Sequence, residues 1–456
     1  MFQKVIVANR GAIASRLIRA LRAMGIRSVA VYSEADAGAP YLAQADEAHA
    51  IGPALARDSY LDQDAFIDLI KRTGADGLHP GYGFLAENAA FARRVNASGA
   101  TFIGPSAHWI DAMGHKTRAR ALAEKHGLPV GKGSPILSGD DALMQQYAQE
   151  IGYPVLIKPA AGGGGIGMLV ARDSVELGVM AEKARSLAMR GFSNAEIYLE
   201  QYLQRPRHIE FQLLGDKTGR VRHLFDRDCS LQRRHQKIIE EARAPAADRG
   251  KIDALARHLA DTFSQLGYDN IGTVETLMSQ QGDFHFLEMN TRLQVEHGVT
   301  EAITGVDLVR AQIQAAAGLA LDDFLPADIQ ARGHAIEARV YAEDSRRFLP
   351  SCGQLKVYRP PRGLRVETGY AEGQSVTPHY DPMLAKLIAH ADTRVAAIDQ
   401  LLAALDEFEI DGVKTNLDAL RVLLRNDAFR QGDVHTGLVQ EVVLDAARKA
   451  PAPALA

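Results

Sequence analysis

An α/β and α+β protein, with a doubly wound N-terminal domain followed by mixed domains, is predicted by three features of the sequence. The opening KVIVA (Lys4 to Ala8) is a short β-branched run, followed by a helix-periodic stretch from Gly11 to Met24 and by RSVAVYS (Arg27 to Ser33). Strand, helix, strand is the βαβ unit of a parallel sheet. Alternation continues through GADGLHPGYGFLAEN to TFIGPS (Thr101 to Ser106), which extends the doubly wound pattern over about the first 110 residues. After about Gly333 the pattern changes to short strands (HAIEARVYA, QLKVYRPP, LRVETGY, AKLIAHA), with helices at Arg394 to Phe408 and Asn416 to Leu424.

Between these ends, His115 to about Val130 and Ser138 to Gly152 read as helices, and PVLIK reads as a strand. AEIYLEQYL is a second strand ending near Leu203, after which HIEFQLLG and VRHLFDRD return to alternating strands with helical segments between them. The expected units are therefore 1–114, 115–332 with a smaller insertion at about 131–203, and 333–446, with an Ala/Pro-rich tail at 447–456.

With 456 residues, 46% hydrophobic and 24% charged, the chain can bury a large core. A net charge of −4 leaves no electrostatic footprint for nucleic acid or an anionic membrane, so an anionic ligand must meet a local basic pocket. No apolar stretch approaches the roughly 20 residues that span a bilayer. Cys229 and Cys352 make neither a disulfide framework nor a metal-type spacing, and Met-Phe-Gln-Lys runs into a strand without the features of an export signal. A cytoplasmic setting is expected.

Three segments carry chemistry. Lys158 closes PVLIK and is followed by glycines at 162 to 165. Such a run disfavours helix and strand interiors, and is either a lid whose bare N–H groups approach phosphate or a mobile surface linker. No Lys-Ser/Thr follows it, and ANRGAIA rather than GxGxxG opens the first helix, which disfavours a P-loop NTPase and a dinucleotide-dependent dehydrogenase. In FLEMNTRLQVEH (Phe286 to His297), Glu288, Asn290 and Arg292 share one face at strand spacing, opposite Leu287, Met289 and Thr291. With Glu275 of GTVETL on the preceding strand, the hairpin is either a Mg²⁺ site of hard oxygen donors beside a guanidinium fork or an exposed charged hairpin. The third segment, DRDCSLQRRHQKIIEEA (Asp226 to Ala242), gathers Arg233, Arg234, His235 and Lys237 before Glu240 and Glu241. It reads as an anion site or, taken alone, as a solvated charged loop.

Together these segments resemble the biotin carboxylase family of ATP-grasp enzymes. VANRGAIA, HPGYGFLAEN (His79 to Asn88), Lys116 in MGHK, the glycine loop, RHIEFQ from Arg207, SLQRRHQK, EMNTRLQVEH and GVKTN from Gly412 stand in the family's order and spacing, and the similarity runs from about Phe2 to Val443. The resemblance implies a pre-ATP-grasp domain, an ATP-grasp core with a small lid, a C-terminal domain and a homodimer. It also implies that Lys116, Lys158, Glu200, Leu203, His208 and His235 hold ATP, with Gly164 and Gly165 closing over its phosphates. Glu275 and Glu288, with Asn290 close by, would bind Mg²⁺ or Mn²⁺. Lys237, Arg292, Gln294 and Val295 would cradle bicarbonate, Glu296 would be its general base, and Arg339 would stabilise the enolate of biotin.

The implied activity is ATP- and bicarbonate-dependent carboxylation of biotin through carboxyphosphate, the first half-reaction of a carboxylase such as acetyl-CoA carboxylase. The family's biotin attachment sequence, Ala-Met-Lys-Met, is nowhere in these 456 residues. The resemblance therefore implies biotin on a carrier protein and a carboxyltransferase as further partner, which chooses the acceptor. Two rivals differ in kind: another ATP-grasp ligase would share Lys116, Lys158, Glu275 and Glu288 but not RLQVEH and EARVYAED, and a non-catalytic nucleotide-binding subunit is favoured by departures from the family. The family usually has Glu at Ala12, Asp at His115, Arg or Lys at Ile166, and Pro at Arg243 and Gly298.

Ile166 removes a lid cation that could meet a phosphate, so a weaker grip on nucleotide or a slower closed state is expected. Steady-state kinetics of Ile166→Arg should show a lower KM for ATP or a higher kcat; no change in either removes the missing cation as a determinant.

Overall fold

The apolar runs that open the chain become the centre of its first layer. In this computed structural model, which describes residues 1–137, 141–160, 167–192 and 194–444, strands β1 (Lys4–Val7), β2 (Arg27–Tyr32), β3 (Glu47–Ala50), β4 (Gly77–His79) and β5 (Thr101–Phe102) form a parallel sheet of order β3-β2-β1-β4-β5. Both faces are covered, which explains why β1 has a continuous apolar run. Val5 and Val7 pack on the helix Gly11–Ala23, and Ile6 packs with Phe66 and Phe91 from helices on the opposite face. Beyond β4, the Asn9 side chain donates to the carbonyls of Pro80 and Tyr82, 2.7 Å each, and so anchors the start of the loop that carries Glu87.

A smaller antiparallel sheet, order β7-β6-β8, follows from β6 (Val155–Pro159), β7 (Leu169–Ala171) and β8 (Ile197–Gln201). Helices Asp141–Ile151 and Ser174–Phe192 cover it through Met144, Ala148, Leu177 and Ala181. Gly164, Gly165 and Ile166, and the tail at 447–456, lie outside the described residues. The helix expected from His115 to about Val130 runs over Lys116–Lys125 and stops ahead of Gly127, whose φ of 71° turns the chain away.

The largest sheet is antiparallel. It is built from β9 (Arg207–Gly215), β10 (Val221–Arg233), β11 (Gln236–Ala242), β12 (Ile271–Met278), β13 (Phe284–Asn290) and β14 (His334–Tyr341). After the short β15 (Gly353–Gln354) and β16 (Val357–Arg359) come β17 (Arg365–Thr368), β18 (Ser375–Val376), β19 (Met383–Ala391) and β20 (Glu409–Asp411). The order β13-β12-β9-β10-β11-β14-β19-β17 carries the sheet through the division expected at 332/333. β15 pairs with β18 and β16 with β20 at its margin, and helices Arg394–Glu407 and Leu417–Arg425 bury their apolar faces against its C-terminal strands.

The charged segment Asp226–Ala242 is not a solvated loop. It forms most of the β10–β11 hairpin, reversing at Arg234 and His235, whose φ angles are 48° and 66°. Leu231, Ile238 and Ile239 hold it in the core, and pairing on both edges draws its polar side chains inside. Among the described residues no helix is long and apolar enough to cross a membrane.

The N-terminal domain and the C-terminal strands meet backbone to backbone, since a Cβ at Gly369 would lie 2.3 Å from Gly11 Cα. Gly369→Ala should therefore destabilise by about 1–3 kcal/mol, the range for an overpacked contact, and lower Tm in thermal denaturation. An unchanged Tm would mean that the two backbones separate at no cost to admit the methyl group.

Candidate active site

Strand register assembles the site. Arg227 on β10 is opposite Glu210 on β9, Glu210 is opposite Glu275 on β12, and Glu275 is opposite Glu288 on β13. Three carboxylates in adjacent positions repel unless cations intervene. Lys237 of β11 provides one: its Nζ lies 2.6 Å from Glu210 Oε2, 2.9 Å from Glu275 Oε1 and 2.6 Å from Glu296 Oε1. Arg227 provides the other, paired with Glu210 and donating to Gln212 Oε1 (2.8 Å) and Thr300 Oγ1 (2.9 Å).

Glu296 stands at the entry of the helix His297–Thr304. Its Oε1 also accepts from the Cys229 thiol at 3.8 Å, and its Oε2 accepts from Arg339 Nη2 at 2.9 Å. Burial alone would raise the Glu296 carboxyl, but Lys237, Arg339 and Arg227 outweigh it and hold the group well below the usual carboxylate range. Glu275 is lowered in the same way, with Lys237 and His208 overcoming burial. Burial disfavours the Lys237 ammonium, yet Glu210, Glu275 and Glu296 keep it charged. The Cys229 thiol is pushed well up by burial and by Glu210, so it is a neutral donor here.

Asn290 and Gln294 connect the anion to the next cation. Their amides donate to Glu275 Oε1 at 2.7 and 2.9 Å, and their carbonyl oxygens accept from Arg292 at 2.9 Å each. Arg292 Nε donates to Glu87 Oε2 at 2.8 Å, and the Thr291 amide donates to Glu87 Oε1 at 3.1 Å. The fork is thus held by the N-terminal domain.

Other expected positions are spread around this net. His208 lies 3.0 Å from Glu275 Oε2 and is fixed behind by Gln232, so the structure sets it against a carboxylate of the expected metal pair. Lys116 Nζ is 3.6 Å from Glu288 Oε2. Lys158 and Glu200 form their own pair at 2.8 Å on β6 and β8. Leu203 is half-buried just beyond β8, His235 is exposed at the β10–β11 turn, and the carbonyl of Val295 accepts from Lys386. Glu275 and Glu288, directly opposite with Asn290 beside them, are a hard-oxygen set suited to Mg²⁺.

Glu87, Glu210 and Arg227 are not singled out by the sequence. For Glu210 a signal existed, because His208, Glu210 and Gln212 alternate with apolar residues; such a stripe reads as a solvent face, yet all three are buried. At Gly298 a Cβ would lie 2.4 Å from Ile388 Cδ1, so that side chain occupies the room left by the missing substituent.

Glu240 and Glu337 stand opposite each other on β11 and β14 with no exposed surface. Burial pushes Glu240 up to about 8, despite an Arg339 ion pair at 2.5 Å, and pushes Glu337 up to about 7. Both bind a proton more tightly folded than unfolded, so their contribution to stability is complete below the usual value of 4.5 and is lost as pH rises through about 7 and 8. Glu240→Gln, which stays neutral, should lose less Tm than the parent between about pH 6 and pH 9. Parallel Tm curves would show that no such proton is held.

Known proteins share this architecture along nearly the whole chain. The sequence model of the biotin carboxylase N-terminal domain matches residues 1–110, that of the carbamoyl-phosphate synthase L chain ATP-binding domain matches 115–324, and that of the biotin carboxylase C-terminal domain matches 337–441. The biotin carboxylase of Haemophilus influenzae is 46% identical over 438 residues, covering 95% of this chain and 97% of its own. A pyruvate carboxylase subunit of Methanothermobacter thermautotrophicus is 46% identical over 444 residues, covering 97% and 90%. The biotin carboxylase domain dimer of Hydrogenobacter thermophilus 2-oxoglutarate carboxylase, solved with MgADP, ADP and bicarbonate, superposes with a TM-score of 0.93 at 42% identity over 99% of this chain and 100% of that one. Three domain matches in order and near-complete relatives at this identity lead to one conclusion: the chain belongs to the biotin carboxylase family and is an ATP-dependent carboxylating enzyme.

Proposed function

We propose that this enzyme carboxylates biotin borne on a separate carrier protein, using ATP and bicarbonate, as the first half-reaction of a biotin-dependent carboxylase. The observation that carries the reading is a buried, ionised Glu296 held between Lys237 and Arg339, with Arg292 linked through the Asn290 and Gln294 amides to Glu275 on the other side of Lys237. A carboxylate kept charged in a water-poor site is a general base, and the cations around it can take up negative charge formed on a substrate.

Bicarbonate bound against Lys237 and Arg292 would compete with Glu296 and Glu87 for their donors. Loss of those contacts makes Glu296 more basic, and it takes the bicarbonate proton. A bicarbonate oxygen then attacks the γ-phosphorus of ATP and ADP leaves, giving carboxyphosphate. This breaks to carbon dioxide and phosphate; phosphate takes the N1 proton of biotin, and N1 attacks carbon dioxide. Arg339, drawn off Glu296, stabilises the enolate oxygen of the ureido ring. Lys116, Lys158, Glu200, Leu203, His208 and His235 are the proposed ATP contacts, with Gly164 and Gly165 closing over the phosphates; in this conformation His208 lies 3.0 Å from Glu275. Mg²⁺ or Mn²⁺ fits the oxygen donors of Glu275 and Glu288, where it would offset phosphate charge.

The proposed assembly is a homodimer working with a biotin carboxyl carrier protein and a carboxyltransferase. Acetyl-CoA is one acceptor this permits; the relatives named above belong to carboxylases for different acceptors, which makes acceptor choice the carboxyltransferase's property.

ATP cleavage with Mg²⁺ and free biotin should depend on bicarbonate, and Glu296→Ala should lower that turnover on the order of 10²- to 10⁴-fold, the usual weight of a positioned base. Turnover in the variant equal to the parent would remove Glu296 from the reaction. ATP binding without bicarbonate-dependent phosphate release in the parent would favour a nucleotide-binding subunit instead.

A further inference from the structure

A second buried ammonium lies behind the catalytic turn. Lys386 has no exposed surface and stands in a cross-strand row, opposite Arg339 of β14 on one side and Glu367 of β17 on the other. Its Nζ donates to the backbone carbonyl of Val295, and lies 3.3 Å from Glu367 Oε2 and 3.4 Å from Glu337 Oε2. The carbonyl is the close contact; the two carboxylates are looser.

Charge balance explains part of this placement: against burial, Lys386, ahead of Arg365, holds Glu367 well below the usual carboxylate range, with Arg16 Nε a further 3.6 Å neighbour. It does not explain the contact with the neutral carbonyl of Val295. Glu337 is pushed up to about 7 by burial even with Lys386 beside it. The Val295 carbonyl belongs to the peptide that joins Val295 to Glu296, so gripping it fixes the plane from which the Glu296 side chain departs. Lys237 and Arg339 hold the tip of that side chain; the root is held from the C-terminal domain.

We propose that Lys386 is a positioning residue that sets the Val295–Glu296 peptide and thereby the base and the bicarbonate cradle. This rests on the proposed role of Glu296. Lys386 touches no substrate in the scheme, so its loss acts through geometry, and misplacement of a base on the ångström scale lowers rate steeply.

The test uses Lys386→Met and the charge-balanced double variant Lys386→Met/Glu367→Gln, which keeps the comparison available if the single variant folds poorly. In both, kcat/KM for bicarbonate should fall on the order of tenfold to a hundredfold, while KM for ATP stays within about twofold. Amide hydrogen exchange over residues 294–298 should quicken in both, because the turn has lost its anchor. If the double variant regains parental bicarbonate kinetics, Lys386 only balances charge and the proposal fails; unchanged exchange over that turn overturns it equally. Should the parent itself show no bicarbonate-dependent turnover, the functional reading fails, and the exchange measurement alone decides whether Lys386 holds the turn.

Discussion

The Lys237 ammonium makes the rest of the site sustainable. Glu210, Glu275 and Glu296 converge on it within 2.9 Å, and all three are almost wholly buried. Removing three carboxylates from water without a counter-charge would shift their pKa values upward and neutralise them. One compact cation shared among three anions, with Arg227 and Arg339 at the flanks, instead keeps Glu275 and Glu296 ionised. Buried ion pairs are poor sources of net stability, because desolvation opposes their attraction. Their value in the proposed reaction is chemical: the proposed base and the proposed metal ligand stay charged where water is scarce.

This arrangement requires contributions from distant parts of the chain. Glu87 comes from the loop after β4 of the parallel sheet, Glu210, Lys237 and Glu275 from the middle strands, and Arg339 and Lys386 from the strands after residue 333. Glu87 draws Arg292 toward the N-terminal domain, while Arg339 draws Glu296 toward the C-terminal strands. The TRLQVE segment between them is therefore tied from both sides, to Glu87 at one end and to Arg339 at the other. The pairing of β11 with β14 places Lys237 and Arg339 in one continuous sheet.

Parts of the site were legible and parts were not, for identifiable reasons. The hairpin carrying Glu275 and Glu288 announced itself because polar and apolar residues alternate with period two, and the register places the two carboxylates directly opposite. The segment around Lys237 could equally be a solvated loop, since charge on a short stretch says nothing about what lies on the other side. Its burial comes from pairing with β9 and β14 on either edge. Glu210 was hidden by the same ambiguity, and Glu87 by sequence distance: its partner Arg292 is 205 residues away.

By itself the sequence determined the order of elements, the parallel first sheet and, through motif resemblance, the family and the candidate site residues. Those follow from local periodicity, turn chemistry and spacing, all of which act over a few residues. Tertiary structure decided which charges are buried, which cation each anion shares, that His208 faces Glu275, and that Lys386 reaches the backbone beside Glu296. These are contacts between strands far apart in the chain, and the energy of a charge depends on its surroundings in space rather than on its neighbours in sequence.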